Sequence, residues 1–223
     1  MNVAAQKVRV AVVDYGMGNL FSIRNMVEAV GMEALVTAVP QEIAGADMVI
    51  LPGVGAFGNA METLRRLDLV TVLQDVAQSP KPLVGICLGL QLLMSESHEF
   101  GRHKGLDIIA GTVVRLDAGE RHPVKVPQVG WNWIGRPSGT AHDPWQDTPL
   151  AGMADGTYMY FVHSYIVRPE NRDVILTITR YGENEFCSGV RYKNIYAFQF
   201  HPERSGAAGL ALYRNLASLV SIV

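Results

Sequence analysis

The chain has little cysteine, no basic run and no long hydrophobic stretch, and each shortage excludes something. Cys87 and Cys187 are its two cysteines. They cannot build a framework of paired bridges, so a reducing, cytoplasmic setting is expected. Nineteen Lys and Arg against 21 Asp and Glu give a net charge of −2, and no basic patch points to nucleic acid. No apolar run reaches the roughly 18–20 residues that cross a bilayer. The opening "MNVAAQKVRVAVVDYG" lacks the basic start and long apolar core of a secretion signal. What remains is ample apolar material: 48% of 223 residues. That is enough to bury a substantial core, and with no repeat, low-complexity stretch or linker the expectation is one domain over 1–223.

The N-terminal half alternates strands and helices. "VRVAVVDYG" (8–16) reads as a buried strand ending in a glycine turn. The next segment carries Leu20, Ile23, Met26, Val27 and Val30 at helical spacing and stops at Gly31. "ALVTAV" and "DMVILPGVG" (47–55) are further strands, the second breaking at Pro52-Gly53. One helix is expected from about Asn59 to Gln78, and then "PLVGIC" as a third long apolar strand. Continuous apolar strands alternating with helices imply a mostly parallel sheet covered on both faces. Past residue 105 the pattern becomes strand, turn, strand, which suggests antiparallel pairs added to that sheet. "GAAGLALYRNLASLV" closes as a helix, and 138–157 reads as a surface loop.

The stretch "PLVGICLGLQLL" places a thiol on a sharp corner, with Gly85 and Gly89 two residues either side of Cys87. A nucleophile on a strand-to-helix turn sits at the carboxyl edge of the sheet, where open α/β folds hold ligands. Its backbone is strained, so small neighbours are needed. The helix that follows favours thiolate over thiol and leaves the Leu88 N–H free for an oxyanion. A buried structural cysteine is the competing reading.

A thiolate needs a proton shuttle. His98, His103, His122 and His142 lie in polar, loop-like surroundings, and His163 in a strand-like run. His201 ends the apolar strand "NIYAFQFHPE", where Pro202 stops pairing and Glu203 can turn back onto the imidazole. Cys87, His201 and Glu203 thus make a nucleophile, base and orienter set. In "LPGVGAFG" (51–58) the spacing matches a dinucleotide motif, but the following strand ends in Cys87 rather than an acidic residue. The preferred reading is a flexible turn, Gly53-Val54-Gly55, presenting a second oxyanion donor.

"GICLGLQLL" together with "FHPE" resembles the class I, triad-type glutamine amidotransferases, from about residue 8 to the C-terminus. The resemblance implies a flavodoxin-like fold with added antiparallel strands, and hydrolysis of L-glutamine by Cys87, His201 and Glu203 without metal or cofactor. "DYGMGNL", "LPGVGAFG", "GWN", "YFVHSY" and "FQFHPERSG" resemble one branch of that family. Its members pass ammonia to a separate cyclase, a (β/α)8 barrel of histidine biosynthesis, within a heterodimer. A departure from that branch is Gln128-Val129, where His-Met is expected.

Carried over by position, the resemblance implies an oxyanion site of Leu88 and Val54, presented by the turn at Gly53. Gln91 faces the substrate, Glu99 holds its α-ammonium, and Ser164 and Tyr165 meet its α-carboxylate, mainly through backbone N–H. Asn19, Tyr160 and Arg204 fall at or near the cyclase interface. Two other classes stay open on the residues alone. One is a cysteine hydrolase or peptidase of similar fold, and the other a non-catalytic flavodoxin-like binding module.

Overall fold

The computed structural model describes residues 7–120, 123–139 and 142–220. His122 lies outside them. The first strand, β1 (Arg9–Val13), pairs in parallel with β2 (Glu33–Thr37) and β3 (Met48–Leu51). β3 pairs in parallel with β4 (Leu83–Ile86), and β4 with β13 (Ile195–Phe198). The order β2-β1-β3-β4-β13 is the five-stranded parallel heart of a flavodoxin-like sheet.

Alternate strand residues supply two cores. Ala11, Val13, Val49 and Leu51 face α3 (Phe57–Arg66) and α4 (Leu69–Gln78). Val10, Val12, Met48 and Ile50 face α1 (Leu20–Ala29) and α6 (Gly206–Val220). Burial on both faces is why these strands read as unbroken apolar runs.

Three local expectations need correction. The helix expected over Asn59 to Gln78 is two helices, because Asp68 sits in the left-handed region at φ 55° and breaks the ladder. A short helix, α2 (Pro40–Gly45), was not anticipated; its Pro sits in the first turn, where no N–H is needed. His103, read as loop, falls in the two-residue strand β6 (His103–Lys104).

Beyond β13 the sheet continues through β12 (Asn184–Tyr192), β10 (Tyr165–Pro169), β7 (Ile109–Arg115), β5 (Met94–Ser97) and β6. β11 (Ile175–Tyr181) also pairs with β12. Most of these pairings are antiparallel, as expected, although β5 runs parallel to β7. The exception to an added-strand pattern is β8 (Gln128–Ile134) with β9 (Thr157–His163), which form a separate two-stranded sheet. Among the described residues no helix is long and apolar enough to cross a membrane.

Candidate active site

β4 delivers Cys87 to the carboxyl edge of the sheet. Cys87 has φ 54° and ψ −108°, a strained backbone for a residue with a side chain. The strain is held from both sides. Its N–H donates to the Phe198 carbonyl at 2.7 Å, and its own carbonyl accepts from Leu90 and Gln91 at 3.0 and 3.3 Å. The flanking glycines are steric necessities. A Cβ on Gly85 would come within 2.9 Å of the Ala197 Cβ, and one on Gly89 would run into the Leu51 carbonyl. The helix that follows, α5 (Leu88–Leu92), has five residues. Any help it gives the sulfur therefore comes from its first N–H groups rather than a long macrodipole.

β13 runs alongside β4 and brings in the second element. His201 donates its N–H to the Tyr160 carbonyl at 2.8 Å, and Pro202 opens a single 3-10 turn that ends at Arg204. That turn swings Glu203 back, so that its Oε1 accepts from His201 Nδ1 at 2.8 Å. Both side chains are buried. Nε2 is the ring nitrogen left for Cys87; at rest it forms no fully aligned hydrogen bond. Burial opposes a charge on this ring, but the Cys87 sulfur and the Glu203 carboxylate outweigh it and push the imidazole up to about 10. His201 therefore holds its proton at neutral pH.

Cys87 opens into a cleft of about 300 Å³ between the Val54–Gly55 turn and Phe100. Gln91, Glu99, Ser164 and Tyr165 all line it. Gln91 is buried, and its Nε2 donates to the Tyr165 carbonyl at 3.1 Å and to Gln199 Oε1 at 3.2 Å. Glu99 Oε2 accepts from the Phe57 N–H at 2.5 Å, at the start of α3. That contact anchors the carboxylate at the cleft wall.

The oxyanion site departs from expectation. The Leu88 N–H is not free: it donates to the Gly53 carbonyl oxygen at 3.3 Å. The Gly53–Val54 peptide is turned with its oxygen toward the donor that an oxyanion would need. Gly53 is tightly enclosed, since a Cβ there would meet Tyr15 Oη at 2.5 Å and the Leu88 Cβ at 2.8 Å.

Asn19, Tyr160 and Arg204 come together beside the triad. Asn19 stands at the N-cap of α1 but caps nothing with its side chain; its Nδ2 instead donates to Glu203 Oε1 at 3.5 Å. The Arg204 guanidinium lies 4.4 Å from the Tyr160 ring centre.

Sequence reasoning missed several neighbours of the sulfur. Gln199 Nε2 donates to Cys87 Sγ at 3.6 Å, and the Val162 carbonyl lies 3.8 Å from Sγ. Tyr15 donates to the Pro52 carbonyl at 2.8 Å and so supports the Gly53 turn. Burial, then the nearby Cys87, push its phenol far upward. His163, read as an ordinary strand residue, is a buried neutral imidazole at the cleft, lowered to about 4 mainly by burial. Gln199 lies two residues before His201 on the same strand end, which was the one available signal.

Comparison with known proteins agrees with this geometry. The model of the family "Glutamine amidotransferase class-I" matches residues 11–217. The imidazole glycerol phosphate synthase subunit HisH of Aquifex aeolicus is 46% identical over 210 residues, covering 93% of this chain and 95% of the relative. The subunit of the same name from Moorella thermoacetica is 44% identical over 211 residues, covering 95% of each. Among solved structures, a glutamine amidotransferase superposes with a TM-score of 0.70 at 18% identity, covering 95% of this chain and 98% of the other. A chain in the structure of PurLQS from Thermotoga maritima gives 0.69 at 17%, covering 96% and 99%. The chain belongs to the class-I glutamine amidotransferase family.

Proposed function

We propose that the chain is the glutaminase subunit of imidazole glycerol phosphate synthase. It hydrolyses L-glutamine to glutamate and ammonia, and the ammonia passes to a (β/α)8-barrel cyclase that makes imidazole glycerol phosphate and AICAR for histidine. The observation that carries the chemistry is the buried 2.8 Å contact of His201 Nδ1 with Glu203, beside a cysteine on a strained elbow. The full-length similarity to HisH subunits carries the choice of pathway. The chain is read as one domain acting in the cytoplasm.

The mechanism follows from the side chains. The Cys87 thiolate attacks the side-chain amide carbon of glutamine, whose α-ammonium lies at Glu99 and α-carboxylate at the backbone of Ser164 and Tyr165. Negative charge develops on the amide oxygen. The protonated Nε2 of His201 gives its proton to the departing nitrogen, ammonia leaves, and a γ-glutamyl thioester remains. Neutral His201 then takes a proton from water, the resulting hydroxide adds to the thioester, and glutamate departs as the thiolate re-forms. Glu203 holds Nδ1–H, which fixes the ring orientation and stabilises the imidazolium.

The oxyanion is the incomplete part. With the Gly53 carbonyl on the Leu88 N–H, the tetrahedral intermediate has no free donor there. Rotating the Gly53–Val54 peptide removes that oxygen and offers the Val54 N–H in its place. One such donor contributes about 2.7–4 kcal/mol. A partner that drives this rotation would switch hydrolysis on where the ammonia is used. The outer face of β8–β9 suits such a partner, because Val129, Trp131 and Tyr158 are exposed on it beside Arg204 and Tyr160.

Assaying glutamate release by the isolated chain, by the chain with cyclase, and by the complex with the cyclase's nucleotide ligand tests the reading. The expected result is slow, faster and fastest, with inactivation by a glutamine-analogue electrophile at Cys87. Hydrolysis of peptides in preference to glutamine would favour a cysteine peptidase instead.

A further inference from the structure

Gln199 is the first residue beyond β13 and is fully buried. Its backbone N–H is used by the Ser188 carbonyl at 2.9 Å. Its side-chain amide lies between two groups of the site. Oε1 accepts from Gln91 Nε2 at 3.2 Å, and Nε2 donates to Cys87 Sγ at 3.6 Å, within reach for the larger sulfur atom. The orientation is dictated by Gln91. Its Nε2 also donates to the Tyr165 carbonyl at 3.1 Å, so the Gln91 group facing Gln199 is a donor. Gln199 must then present its oxygen to Gln91, and its N–H is left for the sulfur.

We propose that Gln199 is a positioning residue for the nucleophile: its amide N–H holds the Cys87 sulfur as the anion, and Gln91 keeps that amide in its donating orientation. The proposal rests on Cys87 being the glutaminase nucleophile. The two short-range partners of the sulfur have opposite preferences. The Val162 carbonyl, 3.8 Å away, can accept from a thiol but repels a thiolate. The Gln199 N–H gains strength when the sulfur is charged, as charge-assisted hydrogen bonds do. Removing the amide leaves the protonated His201 alone to hold the thiolate against a carbonyl that prefers the thiol. The titratable groups around the sulfur are His201 on the β13 side, Tyr15 behind the Gly53 turn, and His163 and Glu99 along the cleft. None of them replaces an amide donor that stays in place at every pH. Because Gln91 lines the cleft and also orients Gln199, the substrate wall and the nucleophile share one hydrogen-bond chain.

The test is the pH dependence of Cys87 alkylation by iodoacetamide, read by mass spectrometry on the intact chain, with Cys187 as the buried control. Q199M removes the donor at similar volume, and Q199E keeps the shape but turns an acceptor toward the sulfur. Both should slow alkylation at pH 7 by about tenfold or more and move its midpoint up by about one pH unit, with Q199E the larger. In the cyclase complex kcat should fall by a similar factor while KM changes less than about threefold. Thermal unfolding establishes that each variant is folded, and if Q199M is not, Q199E decides. A folded variant with the wild-type alkylation profile overturns the proposal, since a purely structural role would move the melting temperature and leave the profile alone. Wild-type protein that alkylates normally yet never releases glutamate would overturn the glutaminase reading instead.

Discussion

Leu88 gives its backbone N–H to the carbonyl oxygen of Gly53 at 3.3 Å. That hydrogen bond occupies the N–H of the residue after Cys87, on the wall of its cleft. It leaves a structure whose triad is assembled while its oxyanion site is not. In the proposed function the switch is this one peptide in a glycine turn, so that a partner's binding energy is spent on the transition state.

Gly55 tests this turn more cleanly than Gly53 does. It holds φ +100° with open space where a Cβ would go, whereas a Cβ on Gly53 clashes with Tyr15 and Leu88. Gly55→Val should stay folded, at some loss of stability because a side chain at φ +100° is strained, and still bind glutamine. Restricting its backbone costs about 1–3 kcal/mol, so the ratio of ligand-stimulated to basal kcat should shrink by roughly tenfold or more. Gly53→Ala should also lower stability in chemical denaturation, by about 1–3 kcal/mol, but through the clash with Tyr15 and Leu88 rather than through backbone strain. An isolated wild-type chain as active as the loaded complex would remove the switch altogether.

Cys87→Ala should abolish glutamine hydrolysis while the complex still makes product from added ammonia. Cys187 provides the contrast. It is buried in β12, and burial pushes its thiol up to about 12, so it is protonated and inert at neutral pH. Cys187→Ser should leave turnover near wild type. A matching loss in both variants would take the nucleophile's role away from Cys87.

The sequence exposed the elements that carry chemistry because they sit at strand ends. Cys87 and His201 close adjacent parallel strands, and glycine, proline and carboxylate neighbours marked both corners. The parallel half was legible where two-sided burial makes β1, β3 and β4 unbroken apolar runs, but β13, read among the antiparallel additions, runs parallel to β4 because its apolar residues are buried on both faces like theirs. The break at Asp68 was not, since an aspartate in the left-handed region leaves the apolar spacing of α3 and α4 undisturbed. Nor was the Gly53 peptide, because a glycine permits either orientation and packing selects one. Gln199 and Tyr15 touch the site only through tertiary contacts, and nothing in residue type announces that.

Glu203→Gln should lower glutaminase kcat strongly with little change in KM. The amide can still meet the ring but cannot stabilise the imidazolium. Glu203 is also one of the groups that raise His201 to about 10. Without that carboxylate the ring loses its proton at lower pH, and the alkaline limb of the kcat profile should shift toward neutrality. An unchanged kcat and limb would leave Glu203 as a bystander of the turn.

His163 sets an acid limit on stability. Its imidazole is lowered to about 4 when folded, against an ordinary 6.5 unfolded. Below 6.5 the unfolded chain takes up a proton that the folded one refuses. The stability associated with this site is therefore complete above about pH 6.5 and is lost as pH falls toward 4, on the order of 3 kcal/mol in all. Urea unfolding across that window should show a shallower fall in His163→Gln than in wild type. Parallel curves would place the acid sensitivity elsewhere.

The outer face of β8–β9 carries the last prediction. Val129, Trp131 and Tyr158 are 60%, 56% and 58% exposed, an unusual density of large apolar groups for a solvated sheet face. Trp131 stands directly opposite Tyr160, ring edge toward ring, and the Arg204 guanidinium lies 4.4 Å from the Tyr160 ring centre. Aromatic anchors with an arginine are the residues that dominate binding energies at interfaces. Tyr160 also reaches the triad, since its carbonyl accepts the His201 N–H at 2.8 Å. A partner seated here would press on the strand that positions the catalytic imidazole. Trp131→Ala should weaken cyclase binding by about 2 kcal/mol, roughly 30-fold, in titration calorimetry. The melting temperature of the isolated chain should stay put, because the side chain is mostly in water. Arg204→Ala should weaken binding and also reduce stimulation of kcat, through its contact with Tyr160. Wild-type affinity in both variants would move the partner to another face.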